Sequence, residues 1–107
     1  MTNLLDPREW QPQFRVLLLS IPDDETLRAL AALVPQGALI AMGTPDEVIA
    51  ARRATADLDN VMFHTLDPEE IPWRDAYFHA AFDPNGTALL TDRFQQELLR
   101  VLVRNSI

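Results

Sequence analysis

The amino-acid sequence predicts an α/β fold: a mostly parallel, four-stranded sheet with helices on both faces, in three layers. Three observations carry this. Residues 14–19 (FRVLLL) and 38–42 (ALIAM) are short, near-continuous apolar runs, as expected of strands buried on both faces of a parallel sheet. Each run is followed within a few residues by a helix-start signal, which gives the alternation of strand and helix typical of parallel sheets. Residues 60–83 (NVMFHTLDPEEIPWRDAYFHAAFD) then hold an alternating strand with Val61 and Phe63, an acidic turn, a Pro72-Trp73 corner and a second apolar strand over about 77–82.

In chain order, residues 1–13 read as a polar arm with one large anchor, Trp10. It is either a strap docked across the domain edge or an arm reaching a second subunit. After the first strand, Asp23 or Asp24 can cap a helix whose apolar positions Leu27, Leu30, Ala31 and Val34 follow helical spacing. Pro35-Gln36-Gly37 stops it. After the second strand, Thr44-Pro45-Asp46-Glu47 combines a capping box with proline at the first helical position. That helix is expected to run to about Asp57, with Val48, Ile49 and Ala51 available to face the sheet. The third strand is 61–65. Right-handed crossovers then put both helices on one face, and the fourth strand joins beyond the first, for a spatial order of 3-2-1-4. Asp83-Pro84-Asn85-Gly86 is a turn. Residues 87–90 are either a short antiparallel return strand or a lead-in to the last helix. That helix is expected over 91–104 with Thr91 as its cap. Phe94, Leu98, Val101 and Leu102 form one stripe, and Leu99 and Val103 lie well round from it.

Composition bounds the function. A chain of 107 residues with 48% apolar content is one globular domain. A net charge of −7, without a single lysine, argues against nucleic acid or an anionic membrane as partner. The absence of cysteine excludes a thiolate nucleophile or thiolate metal site. The N-terminus lacks the pattern of a signal peptide and no apolar run approaches the ~20 residues that span a bilayer, so a cytoplasmic protein is expected.

The layout of residues 60–83 resembles the third and fourth strands of the class I, S-adenosylmethionine-dependent methyltransferases, which have a Rossmann-like fold. Asp67, Glu69, Glu70, Ile71, Pro72, Trp73 and Phe78 fall into that family's wording of strand, acidic turn, Leu-Pro-Phe corner and next strand. Residues 97–103 (ELLRVLV) resemble the helix after its fourth strand. The resemblance covers roughly residues 14–104 and implies a half domain in which the family's strands five to seven are missing.

That resemblance implies three cofactor contacts. The first is a glycine-rich turn after the first strand. Here the turn is Ser20-Ile21-Pro22-Asp23-Asp24-Glu25, where Pro22 removes an N–H and the acids face the cofactor's carboxylate. Two like charges ~5 Å apart cost on the order of 3 kcal/mol at an effective dielectric near 20, about two powers of ten in affinity. The second is an acid at the end of strand two, where Met42 or Gly43 stands instead. The third is an acid after strand three, where Asp67 stands, equally readable as the cap of an acidic turn. On a cofactor-binding reading, Asp67, Ser20 and Gly43 are the residues left to make contact. No catalytic residue and no metal site is expected. His64 and His79 lie on strands separated by two others, and Asp67, Glu69 and Glu70 lack further oxygen ligands in sequence.

An open fourth-strand edge and a sparsely covered sheet face complete the reading. Even ~400 Å² of apolar face left open is about 10 kcal/mol of unrealised burial. A homodimer through the strand-four edge or the final helix is expected, or a monomer in which 87–90 folds back to blunt the edge. Function therefore divides into two readings. One is a non-catalytic methyltransferase-like module for self-association or protein-partner binding, with no cofactor. The other is S-adenosylmethionine or nucleoside binding, or one part of a composite methyltransferase.

Overall fold

The central strand β1 (Arg15–Leu18) is paired on both sides in a computed structural model of the protein, which describes residues 6–67, 69–86, 88 and 91–103. The order of elements is β1, α1 (Asp24–Ala31), β2 (Ala38–Gly43), α2 (Pro45–Ala54), β3 (Val61–Thr65), β4 (Ala80–Phe82) and α3 (Asp92–Val101). The four strands stand in the order β3-β2-β1-β4 and every pairing is parallel.

Alternation along the two inner strands divides the core into two layers. Val16 and Leu18 of β1 join Leu39 and Ala41 of β2, and pack with Leu27, Leu30 and Ala31 of α1. Leu17, Leu19, Ile40 and Met42 face the other way and pack with Phe94, Leu98 and Val101 of α3. Trp10 is buried on the α1 side, edge-on to Phe82 at 6.0 Å, so the arm straps its own domain on the face that already has two helices. Gly37 is required at the entry to β2. A Cβ there would stand 1.9 Å from the Phe14 carbonyl oxygen, which accepts the Ala38 N–H.

The helix starts follow from local chemistry. Thr44 Oγ1 accepts from the Glu47 N–H while Glu47 accepts from the Thr44 N–H, with Pro45 at the first helical position. Thr91 Oγ1 accepts from the Phe94 N–H. The ends differ from expectation, and each difference has a cause. Helix α2 stops at Ala54, short of Asp57, because Thr55 turns out of helical geometry and its hydroxyl donates back to the Ala51 carbonyl at 2.7 Å. Ile49, 100° round from Val48, is 50% exposed and does not face the sheet. Helix α3 ends at Val101 because Leu102 becomes extended and pairs in parallel with Phe78. The Phe78 N–H donates to the Val101 carbonyl, and the Val103 N–H to the Phe78 carbonyl. Strand β4 begins at Ala80, not near Tyr77, since the Arg15 N–H goes to the His79 ring Nδ1 in place of a ladder carbonyl. The expected return strand at 87–90 lies outside the described residues except for Ala88.

Between β3 and β4 the described chain forms no helix. An irregular corner, 71–76, covers the sheet instead, and α3 holds it. Arg100 donates to the carbonyls of Ile71 (2.7 Å) and Trp73 (2.8 Å), to Asp75 Oδ1 (2.8 Å) and to both Glu97 oxygens (3.0 Å). Glu97 in turn accepts the Ile71 N–H, and the Ala76 N–H reaches the Arg100 carbonyl. Ala76 sits at φ 56°, the left-handed region a side chain rarely adopts, and this last bond holds it there. The corner thus delivers Ile71, Trp73 and Phe78 to the α3-side core.

Glu97 is buried, and the guanidinium beside it, with the Ile71 N–H, holds its carboxyl at about 2 against an ordinary 4.5. The unfolded chain therefore binds the proton first, and stability from this group is complete above pH 4.5 and drains away as pH falls towards 2. Glu97→Gln should lose about 2 kcal/mol at neutral pH, since it removes the buried one of the two carboxylates that Arg100 meets and leaves Asp75. Urea melts of both proteins across this acid range should converge as the pH drops; parallel curves would show that the clamp does not carry the dependence.

Candidate functional site

In the order β3-β2-β1-β4 the direction of winding across the sheet reverses between β1 and β4, and the crevice beyond their carboxyl ends is where open α/β sheets bind ligands. Side chains lace this crevice across. Ser20, 9% exposed, donates its hydroxyl to Asp83 Oδ1 at 2.6 Å and accepts from the Asn85 N–H at 3.2 Å. Asp83 Oδ2 accepts the Ala88 N–H, and the Asn85 amide donates to the Ile21 carbonyl at 2.9 Å. The loops after β1 and β4 are thereby joined by three hydrogen bonds, and Asp83 also ties down its own loop. Gly86, at φ 65°, closes the tight turn that aims Asn85 back across the gap.

On the β2 side the filling is part apolar and part carboxylate. A Cβ at Gly43 would lie 2.7 Å from Ile21 Cδ1 and 2.9 Å from Glu47 Oε1. The space beside this glycine is taken by Ile21 and by the carboxylate of the α2 capping box. The Leu66 N–H donates to the Gly43 carbonyl, bringing the acidic loop after β3 alongside. There Asp67 is exposed and accepts the Glu69 N–H at 2.8 Å, a local turn bond. The structure thus brings Ser20 and Gly43 to one end of the sheet, each already engaged by neighbours, with Asp67 beyond them. Asp83 and Asn85 complete the arrangement. The turn signal at 83–86 marked their loop but not their long-range partners, which are over 60 residues away.

The histidines occupy separate places. His64 is exposed on β3, its ring edge-on to Trp73 at 5.3 Å. His79 stacks on Phe14 at 5.0 Å, and burial, then the nearby Arg15 charge, pushes its pKa below the ordinary value. Nδ1 is needed as an acceptor for the Arg15 N–H, which agrees with a neutral ring. Among the described residues no group of three histidine or carboxylate side chains is placed to hold a metal ion, and no helix is long and apolar enough to cross a membrane.

Comparison with solved structures shows the fold to be methyltransferase-like. A SAM-dependent methyltransferase from Aquifex aeolicus superposes with a TM-score of 0.75 at 23% identity, over 94% of this chain and 60% of that one. The YcgJ protein of Bacillus subtilis gives 0.76 at 22% identity, over 90% and 42%. A candidate sarcosine dimethylglycine methyltransferase from Galdieria sulphuraria gives 0.74 at 18%, over 87% and 37%. The chain therefore spans between 37 and 60% of the length of these structures. No protein-family model and no curated protein matches the sequence.

Asp83→Ala leaves the Ser20 hydroxyl and the Ala88 N–H without their acceptor in a partly buried place. The expected loss is about 2 kcal/mol, within the range for hydrogen bonds to a charged acceptor. Chemical denaturation should show it as a lower midpoint at unchanged slope; an unchanged midpoint would mean that the two loops are not coupled through this carboxylate.

Proposed function

We propose that this chain is a methyltransferase-like module that works by association with protein, itself or another chain, and not by methyl transfer. The observation that carries the reading is Ile21 seated against Gly43, with Ser20, Asp83 and Asn85 bridging the adjacent crevice. A cofactor entering here has to displace a packed side chain and break charge-assisted bonds. It also meets Pro22, which offers no N–H, and the carboxylates of Asp23, Asp24 and Glu25, so the residues present do not fit S-adenosylmethionine. A cytoplasmic setting belongs to the same proposal, supported by an acidic chain without cysteine.

The surface offered for self-association is the outer side of α3. Leu99 of α3 is 50% exposed there, and Val103, in the extended segment just past the helix, is 41% exposed. The start of the neighbouring edge is already taken by the Phe78–Leu102 bridge, so helix packing is favoured over strand addition. The second reading, retained cofactor binding, draws support from the likeness to a SAM-dependent methyltransferase and from Asp67 in the loop after β3.

Calorimetric titration with S-adenosylhomocysteine decides between the two. No saturable heat is expected, and micromolar binding would establish the second reading instead. Light scattering on a size-exclusion column should give a dimer that Leu99→Asp converts to monomer; a wild-type monomer at every concentration would remove self-association and leave a different chain as the partner.

A further inference from the structure

We propose that the uncovered face of β3 is a docking groove for a cationic amphipathic helix of another protein. This deepens the association reading and rests on it. A strand of a parallel sheet is ordinarily buried on both faces, because each crossover supplies a helix to cover it. Strand β2 obeys this, with Leu39, Ile40, Ala41 and Met42 fully buried. Strand β3 does so on one side only. Towards α1 and α2, Val61 and Phe63 pack against the core. Towards α3, Met62 is 49% exposed and His64 is exposed as well.

The cause is the Arg100 clamp. It holds the 71–76 corner over the inner strands, and the corner's reach ends where Trp73 meets the His64 ring. What remains is a trough. Met62 and His64 form its floor, half-buried Trp73 its inner wall, and Leu66, 36% exposed, its upper end. A helix is the element that sheet faces of this kind bury against.

Charge selects the occupant. Exposed Asp67, Glu69 and Glu70 follow β3 at its upper end, where Arg93 donates to the Glu69 carbonyl at 2.9 Å, and exposed Asp59 precedes it at the lower, so carboxylates outnumber that guanidinium above and a carboxylate stands below. A second copy is disfavoured by the same charges. Antiparallel pairing of two β3 edges about Phe63 sets Asp59 of one opposite Asp67 of the other, like against like. Arg52 also lies along that edge, its guanidinium 3.5 Å from the Phe63 carbonyl, which blunts strand addition but leaves the face open. An apolar stripe flanked by Lys or Arg satisfies both the floor and the rim.

The test uses a fluorescein-labelled peptide of about 18 residues, Leu at helical spacing on one face and Lys on the other. Anisotropy should show saturable binding to the full chain. Met62→Asp should weaken it at least about tenfold, and so should Glu69→Lys with Glu70→Lys, which alters exposed loop positions and keeps the fold. Ile49→Asp, at an exposed position of α2 away from the groove, should leave it unchanged. Absence of binding, equal binding of a scrambled peptide, or indifference to both groove variants would overturn the proposal. So would a wild-type dimer that Met62→Asp dissolves, which would make a second copy the occupant. Should the peptide fail while S-adenosylhomocysteine is also silent, only the groove falls; binding of S-adenosylhomocysteine strikes the association reading itself.

Discussion

Arg100 is the side chain on which the rest of this structure depends. The link from β3 to β4 runs without a helix among the described residues, and irregular backbone over a sheet needs partners for its carbonyls. A guanidinium suits the task because it offers five N–H donors in a fixed fork. Here they go to two carbonyls of the corner and two carboxylates, one of them buried. Glu97 completes the clamp from the same turn of α3 by taking the Ile71 N–H. The result is a corner as well tied as a helix, and it supplies Ile71, Trp73 and Phe78 to the core on that side.

Consequences spread from this clamp in both directions. On one side, holding the corner beside α3 brings Phe78 to the chain that follows the helix, and Leu102 leaves helical geometry to pair with it. On the other, the corner stops at His64 and leaves the α3-side face of β3 exposed. The crevice beyond β1 and β4 follows a parallel logic. Its polar groups are satisfied by one another, Ser20 with Asp83 and Asn85 with Ile21. The proposed recognition of protein rests on this self-satisfied crevice together with the exposed face of β3.

The strands, the sheet order and the helix starts were legible because their causes are local. Apolar runs of five or six residues report burial on both faces, and capping residues report the first turn. Thr44 with Glu47 and Thr91 with Phe94 behave as any helix with those residues would. Helix ends were less legible. Thr55 and Leu102 stop their helices through bonds that compete with further turns, and in the case of Leu102 the competitor is Phe78, far away in the chain. Ser20 and Gly43 stood out as candidates by position, but what engages them could not be read from position. Asp83 and Asn85 come from the other end of the sequence, and whether Ile21 turns towards Gly43 is a matter of packing.

By itself the sequence determined the α/β class, the parallel order β3-β2-β1-β4 and the acidic, cysteine-free character of the chain, because periodicity, caps and composition act within a few residues of their effects. Tertiary structure alone decided that Glu97 and Arg100 replace a crossover helix, that the crevice is bridged and that β3 keeps one open face. Each of these is a meeting of side chains more than twenty residues apart, or the space left where such a meeting ends, and no local pattern encodes it.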